Sequence, residues 1–131
     1  MKFVCLGCLD KETWGKLGPA EQQAMIKACT DFDLDLAAKG HFADGFALRD
    51  SAAATTIRWK GGKASLVDGP FAETKEMLGG ILILEAKDMA EALAIMSRHP
   101  AIRIGPFEIR PADEAFMSQH PVMQKLMEKR R

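Results

Sequence analysis

Two helical stripes set among strand-like segments predict an α+β fold, with both helices over one face of a mainly antiparallel sheet. Three observations carry this expectation. Apolar residues recur at helical spacing over residues 19–39 and again over 88–99. The segments around those stripes alternate, or run continuously apolar, for four to eight residues, as strands do. Gly61-Gly62 splits one of them into a hairpin.

The chain begins with Lys-Phe-Val-Cys-Leu-Gly-Cys-Leu (residues 2–9), which reads as a buried strand. Residues 10–18 read as a polar loop holding Trp14. In the first helix Gly18 suits the cap, Pro19 the first helical position and Glu21 the positive helix end. Met25, Cys29, Phe32 and Leu36 then form a core-facing stripe, and Lys39-Gly40 is a stop.

Residues 41–48 predict a second strand, whose strict alternation puts Phe42, Asp44, Phe46 and Leu48 on one face. After a loop over 49–54, residues 55–60 and 64–67 predict the hairpin. Residues 78–85, apolar without alternation, predict a central strand covered on both faces. Asp88 with Glu91 is a capping-box pattern opening the second helix, whose expected stripe is Met89, Leu93 and Met96. His99-Pro100 ends it, with His99 expected as a helix C-terminal cap. Residues 103–110 predict an edge strand, with Phe107 and Ile109 opposite Glu108 and Arg110 and with Pro106 tolerated only at an edge or bulge. This order predicts a ferredoxin-like sandwich over residues 1–111. Residues 112–131 read as a C-terminal helical extension, too apolar at Phe116, Met117, Val122, Met123, Leu126 and Met127 to be free, ending in solvated charge at Lys129-Arg130-Arg131.

The bulk numbers narrow the function classes. At 131 residues the chain makes one domain able to bury a core without metal or disulfide support. It holds 18 Lys plus Arg against 18 Asp plus Glu, so it lacks the basic surplus of a nucleic-acid binder. No apolar run is long enough for a membrane span, and no signal-peptide layout opens the chain, so a cytoplasmic protein is expected. The three cysteines, Cys5, Cys8 and Cys29, fit reduced thiols. Cys5 and Cys8 share the spacing of a redox pair but lie in a strand, on opposite faces, without the helix N-terminus that activates such a pair. The histidines lack ligand spacing, and there is no phosphate-cradling or dinucleotide fingerprint, so neither metal nor cofactor is expected.

Candidate chemistry gathers around Asp68-Gly69-Pro70-Phe71-Ala72-Glu73-Thr74-Lys75-Glu76. Asp68, a carboxylate at a strand end beside glycine, suits a general base, and equally suits a turn that holds its own backbone amides. Glu73 and Lys75, with Glu76, either orient a polar ligand or make local ion pairs, while Phe71 anchors the loop. Asp44, sharing a face with phenylalanines, needs a partner or a cavity, and His41 at the start of the same strand is the histidine placed to pair with it. Arg58 and Arg110, with Glu108, sit on polar strand faces, where they either pair with one another or hold a small anionic ligand.

That nine-residue stretch, with Leu78-Gly79-Gly80 and the closing Glu108-Ile109-Arg110-Pro111, resembles the YCII-related family in its DGPF branch, over residues 1–111. The resemblance implies a dimeric ferredoxin-like α/β barrel, two sheets packed face to face. It also implies kinship to small enzymes with an acidic residue and a histidine in a cleft, and some such relatives accompany sigma factors. The expectation is therefore a cytoplasmic homodimer performing cofactor-independent acid–base chemistry on a small organic molecule. Asp68 is the expected base, His41 or Asp44 assists, and Arg58, Glu73, Lys75 and Arg110 bind the ligand. The alternative is a non-catalytic ligand-sensing or protein-interaction module linked to transcription regulation.

Overall fold

The computed structural model describes residues 1–129. The chain opens with β1 (Lys2–Asp10), a short helix α1 (Lys11–Gly15) and a long one, α2 (Pro19–Ala38). Next come β2 (Phe42–Ala47), a 3-10 turn (Ser51–Ala53), and the hairpin of β3 (Thr55–Lys60) and β4 (Lys63–Asp68). Strand β5 (Glu76–Glu85), α3 (Met89–Met96), a second 3-10 turn (Pro100–Arg103) and β6 (Phe107–Pro111) follow. Helices α4 (Glu114–Gln119) and α5 (Pro121–Lys129) close the described part; the expected charge at Arg130 and Arg131 lies outside it.

The main sheet has the order β2-β5-β1-β6 and every neighbouring pair is antiparallel. Hairpin β3–β4 forms a sheet of its own. With the hairpin set aside, the four main strands lie second, third, first, fourth, and α2 and α3 occupy the two crossovers. This is the ferredoxin-like α+β arrangement. Leu36 of α2 and Ala92, Ile95 and Met96 of α3 are buried against Phe3, Cys5, Leu82 and Leu84 of the central strands. Burying a large apolar side chain contributes about 1.5–3 kcal/mol, so this layer anchors everything above it.

Local chemistry explains the element ends. Glu21 accepts the Gly18 N–H at 3.1 Å, and Gly40 follows α2 with φ +81°. Asp88 accepts the Glu91 N–H at 2.8 Å. Gly61 and Gly62, at φ +62° and +77°, make the tight hairpin turn that side-chain-bearing residues resist.

Four expectations need correction. Residues 11–15 are helical rather than loop, because the Asp10 carboxylate accepts the N–H groups of Glu12 and Thr13 at 3.0 and 3.2 Å and so starts a turn. In β2 a bulge between Phe42 and Asp44 breaks the alternation: Phe42 pairs with Leu84 and Asp44 with Ile83, on opposite faces. In α3 the stripe is Met89, Ala92, Ile95 and Met96, while Leu93 is 47% exposed. The last strand begins only at Phe107, because Pro100 starts a 3-10 turn and Gly105-Pro106 delays pairing.

The face of the sheet away from the helices carries Val4, Leu6, Phe46, Ile81 and Ile83, partly or largely open in the single chain. The hairpin adds Ile57, Trp59 and Leu66, each more than two-thirds exposed. In the extension, Glu114 accepts the Lys2 N–H at 3.2 Å and ties α4 to β1, whereas Val122 and Leu126 of α5 stay exposed.

Candidate functional site

On the helix-facing side of the sheet, one row of cross-strand neighbours is almost bare. Phe107 pairs with Gly7, Gly7 with Gly80, and Gly80 with Ala47. Where other rows carry Leu or Cys up into the core, this one leaves backbone. A cavity of about 410 Å³ opens above it, walled by Phe42, Leu82 and Phe107 and roofed by Asp33, His99, Ala101 and Ile104. Close approach of two aromatic rings favours glycine here. A Cβ on Gly7 would lie 2.8 Å from Phe107 Cε1, and one on Gly45 would lie 2.6 Å from Phe42 Cζ.

In the roof, α2 and the turn after α3 bring together a carboxylate and an imidazole. His99 Nε2 lies 2.9 Å from Asp33 Oδ1, and His99 Nδ1 accepts the Ala101 N–H at 3.1 Å. A backbone N–H can only donate, so Nδ1 is the acceptor and the ring proton sits on Nε2, aimed at Asp33. The ring is held between Phe32 and Phe107, with centroids at 5.0 and 5.2 Å. Both histidine nitrogens are thus engaged, and Asp33 Oδ2 has no hydrogen-bond partner among the described residues. The His99 side chain is 5% exposed and that of Asp33 35%, so the carboxylate is the more accessible member of the pair. The expected cap at the C-terminus of α3 is corrected here: the His99 ring turns inward and caps the following 3-10 turn.

A YCII-related domain model matches residues 1–114. The chain belongs to the YCII-related family. A relative of it, an uncharacterised protein of Rhizobium meliloti (strain 1021), is 38% identical over 63 residues, covering 45% of this chain and 49% of that protein. The match thus spans about half the relative's length. Among solved structures, 5-chloro-2-hydroxyhydroquinone dehydrochlorinase from Burkholderia phenoliruptrix AC1100, in complex with 2,5-dihydroxybenzoquinone, is similar with a TM-score of 0.51. The likeness covers 86% of this chain and 94% of that one at 15% identity, a correspondence of fold.

The residues singled out in this YCII-related sequence lie elsewhere, and apart. Asp68 ends β4 opposite Thr55, exposed, and does not line the cavity under Asp33. His41 Nδ1 meets the Glu85 carbonyl at 2.8 Å. Asp44 is exposed and accepts the N–H of Gly45 at 2.8 Å. Arg58 donates to the Phe71 carbonyl at 2.9 Å, bracing the loop. Lys75 reaches Asp10 and Glu12 at 3.8 and 3.6 Å, Glu73 is exposed, and Arg110 sits on the outer face opposite Val4. Backbone bonds to Thr13 above all, and then Lys75, hold the Asp10 carboxyl below its usual range. The loop does border a second, wider space of about 760 Å³, lined by Phe71, Thr74, Glu76 and Glu108 but not by Asp68.

Burial pushes the Cys5 thiol up to about 11. Cys8 is raised by burial first and then by Glu76 and Glu108, and Cys29 by burial and Asp33. None of the three is primed as a thiolate nucleophile. Among the described residues no group of three His, Cys, Asp or Glu side chains is placed to hold a metal, and no helix is long and apolar enough to cross a membrane.

Proposed function

We propose that this YCII-related chain is a cofactor-independent acid–base enzyme acting on a small organic molecule in the cavity between sheet and helices. Asp33 is the base and His99 the positioning residue. One observation carries the reading: the 2.9 Å contact between His99 Nε2 and Asp33 Oδ1 in the roof of a cavity walled by apolar side chains. The Nε2–H bond fixes one carboxylate oxygen and leaves the other to accept a proton from the bound molecule. The aromatic pair around the imidazole keeps the orientation rigid, which places the base before substrate arrives. In this reading Asp68, Arg58 and the loop they border build the hairpin root, and Glu73, Lys75 and Arg110, which line neither cavity, take no part in ligand binding. The dehydrochlorinase with a similar fold supports the reading only in that this architecture accommodates ring-sized organic molecules.

We also infer a cytoplasmic homodimer. The outer sheet face and the exposed Ile57, Trp59 and Leu66 of the hairpin present large apolar side chains to water, and a second copy is the simplest cover. A second reading, an interaction module, is favoured by the exposed Phe116, Val122 and Leu126 of the extension. It predicts a protein partner for α4–α5 and no turnover.

The test is proton exchange. The protein is incubated in D₂O with a panel of small ketones, phenols and nitroalkanes, and loss of C–H signals is followed by NMR. Catalysed exchange that falls by about 10²–10⁴-fold in Asp33→Asn is expected, the usual worth of a positioned base. Exchange equal in wild type and Asp33→Asn, or absent throughout, removes the acid–base assignment.

A further inference from the structure

The cavity under Asp33 also says what kind of molecule it takes, an inference that rests on the acid–base reading above. Among the described residues its lining contains no lysine or arginine, and the one charged group is the carboxylate of Asp33 itself. An anionic substrate would bring a second negative charge beside the first, with no cation in the lining to offset it. A sugar or other polyol would lose water from many hydroxyls against Phe42, Leu82 and Phe107, which offer no hydrogen bonds in return. The floor, in contrast, is the bare backbone of Gly80, beside the Phe107 ring that covers Gly7, and the rings of Phe42 and Phe107 offer flat apolar walls for a ring to pack against.

We propose that the slot over Gly80, between the Phe42 and Phe107 rings, binds neutral, planar, ring-sized molecules that carry one acidic O–H or C–H, presented to Asp33. This departs from the small acids that Arg58 and Arg110 suggest from the sequence. The charge balance favours it. Before transfer the site holds one negative charge, on Asp33; afterwards it holds one, on the deprotonated ring, with the proton on Asp33. The total inside the apolar slot is unchanged, so the step needs no metal or cationic side chain to balance it. An anionic substrate would pass through a doubly charged state instead.

A matched set of probes tests this at pH 7: 2-naphthol, neutral and flat; 2-naphthoate, flat and anionic; and decahydro-2-naphthol, neutral and puckered. Binding to the whole protein is read by calorimetry, with the His99 imidazole signals followed by NMR. The expected order is 2-naphthol tighter than both others, by roughly tenfold or more against the anion. Ala47→Phe, which puts a ring into the slot from its open rim, should abolish 2-naphthol binding with little change in melting temperature. Should that variant unfold, the shift of the His99 signals on adding 2-naphthol to wild type locates the site by itself. Naphthoate binding as well as naphthol, or decahydronaphthol binding equally well, overturns the proposed class while leaving the acid–base reading standing. Asp33→Asn separates the two: it should raise naphthoate affinity towards that of naphthol. An unchanged ratio would mean that the carboxylate does not face the ligand, which sinks the acid–base reading.

Discussion

Nε2 of His99 lies 2.9 Å from Oδ1 of Asp33, two residues 66 positions apart in the chain, and the contact ties α2 to the turn that follows α3. The imidazole is nearly fully buried, and its other nitrogen caps that turn by accepting the Ala101 N–H.

His99→Ala therefore removes three things together: the partner of Asp33, the acceptor for Ala101, and the filling between Phe32 and Phe107. We expect a loss of about 3 kcal/mol, combining a cavity with stranded polar groups. Asp33→Asn keeps an oxygen that accepts from Nε2 and should cost about 1 kcal/mol. Urea denaturation of both variants checks the ranking. Equal losses would show that the imidazole adds no packing of its own.

Two glycine substitutions should differ in severity for a geometric reason. A Cβ on Gly105 would lie 1.8 Å from the Cys8 carbonyl oxygen, and backbone bonds from Cys8 to Pro106 and from Asp10 to Ile104 clamp the two segments together. No side chain can move aside, so Gly105→Ala should cost more than about 3 kcal/mol, in the tail of single substitutions. Gly7→Ala meets the Phe107 ring instead, which can tilt, at about 1–2 kcal/mol. Because Phe107 packs on His99, Gly7→Ala should also shift the His99 imidazole NMR signals, whereas a variant with unmoved signals would mean the ring does not yield towards the histidine.

The parts of this fold that were legible in sequence are those fixed by local chemistry: the caps at Gly18 and Asp88, the stop at Gly40, and the turn at Gly61-Gly62. The face switch in β2 was not legible, because the bulge after Phe42 depends on the register with β5. Nor was the stripe of α3, since nearly every position from Met89 to Met96 is apolar and periodicity selects no face. Asp33 did leave a signal. In Asp31-Phe32-Asp33-Leu34-Asp35, Asp31 and Asp35 pair with Lys27 and Lys39 at 2.6 and 2.9 Å, each four residues along the helix. Asp33 has no such lysine and lies beside Phe32 on the margin of the buried stripe, so a helical projection singles it out. His99 carried no comparable signal, because its burial depends on a neighbour 66 residues away.

Glu85 should govern part of the acid limb of stability. Lys2, above all, together with the N-terminal amine holds its carboxyl below the ordinary glutamate range, at 2.6 and 3.0 Å. A carboxyl lowered in the folded state stabilises above its unfolded value and loses that contribution as pH falls through the folded one. The side chain is 40% exposed, so solvent screening limits the effect to no more than about 1 kcal/mol. Stability measured against pH should show Glu85→Gln weaker than wild type at pH 7, with the gap closing below about pH 4.5. A gap that persists at pH 3 would point to packing rather than charge.

The proposed homodimer is testable at Ile83, on the outer face of β5 and paired with Val4 and Asp44. In a single chain Ile83→Lys is mild: the site is half-exposed, and the new ammonium gains Asp44 as a cross-strand neighbour, worth a few tenths of a kcal/mol. Between two facing sheets the same change buries a pair of like charges, which costs several kcal/mol. Light scattering after size exclusion should therefore give a dimer mass for wild type and a folded monomer for Ile83→Lys, with Trp59→Ser in the hairpin weakening the dimer less. The opposite ranking would make the hairpin the main contact. A variant that keeps the dimer mass at micromolar concentration would move the interface off this face, and the exposed Val122 and Leu126 of α5 would become the next surface to change.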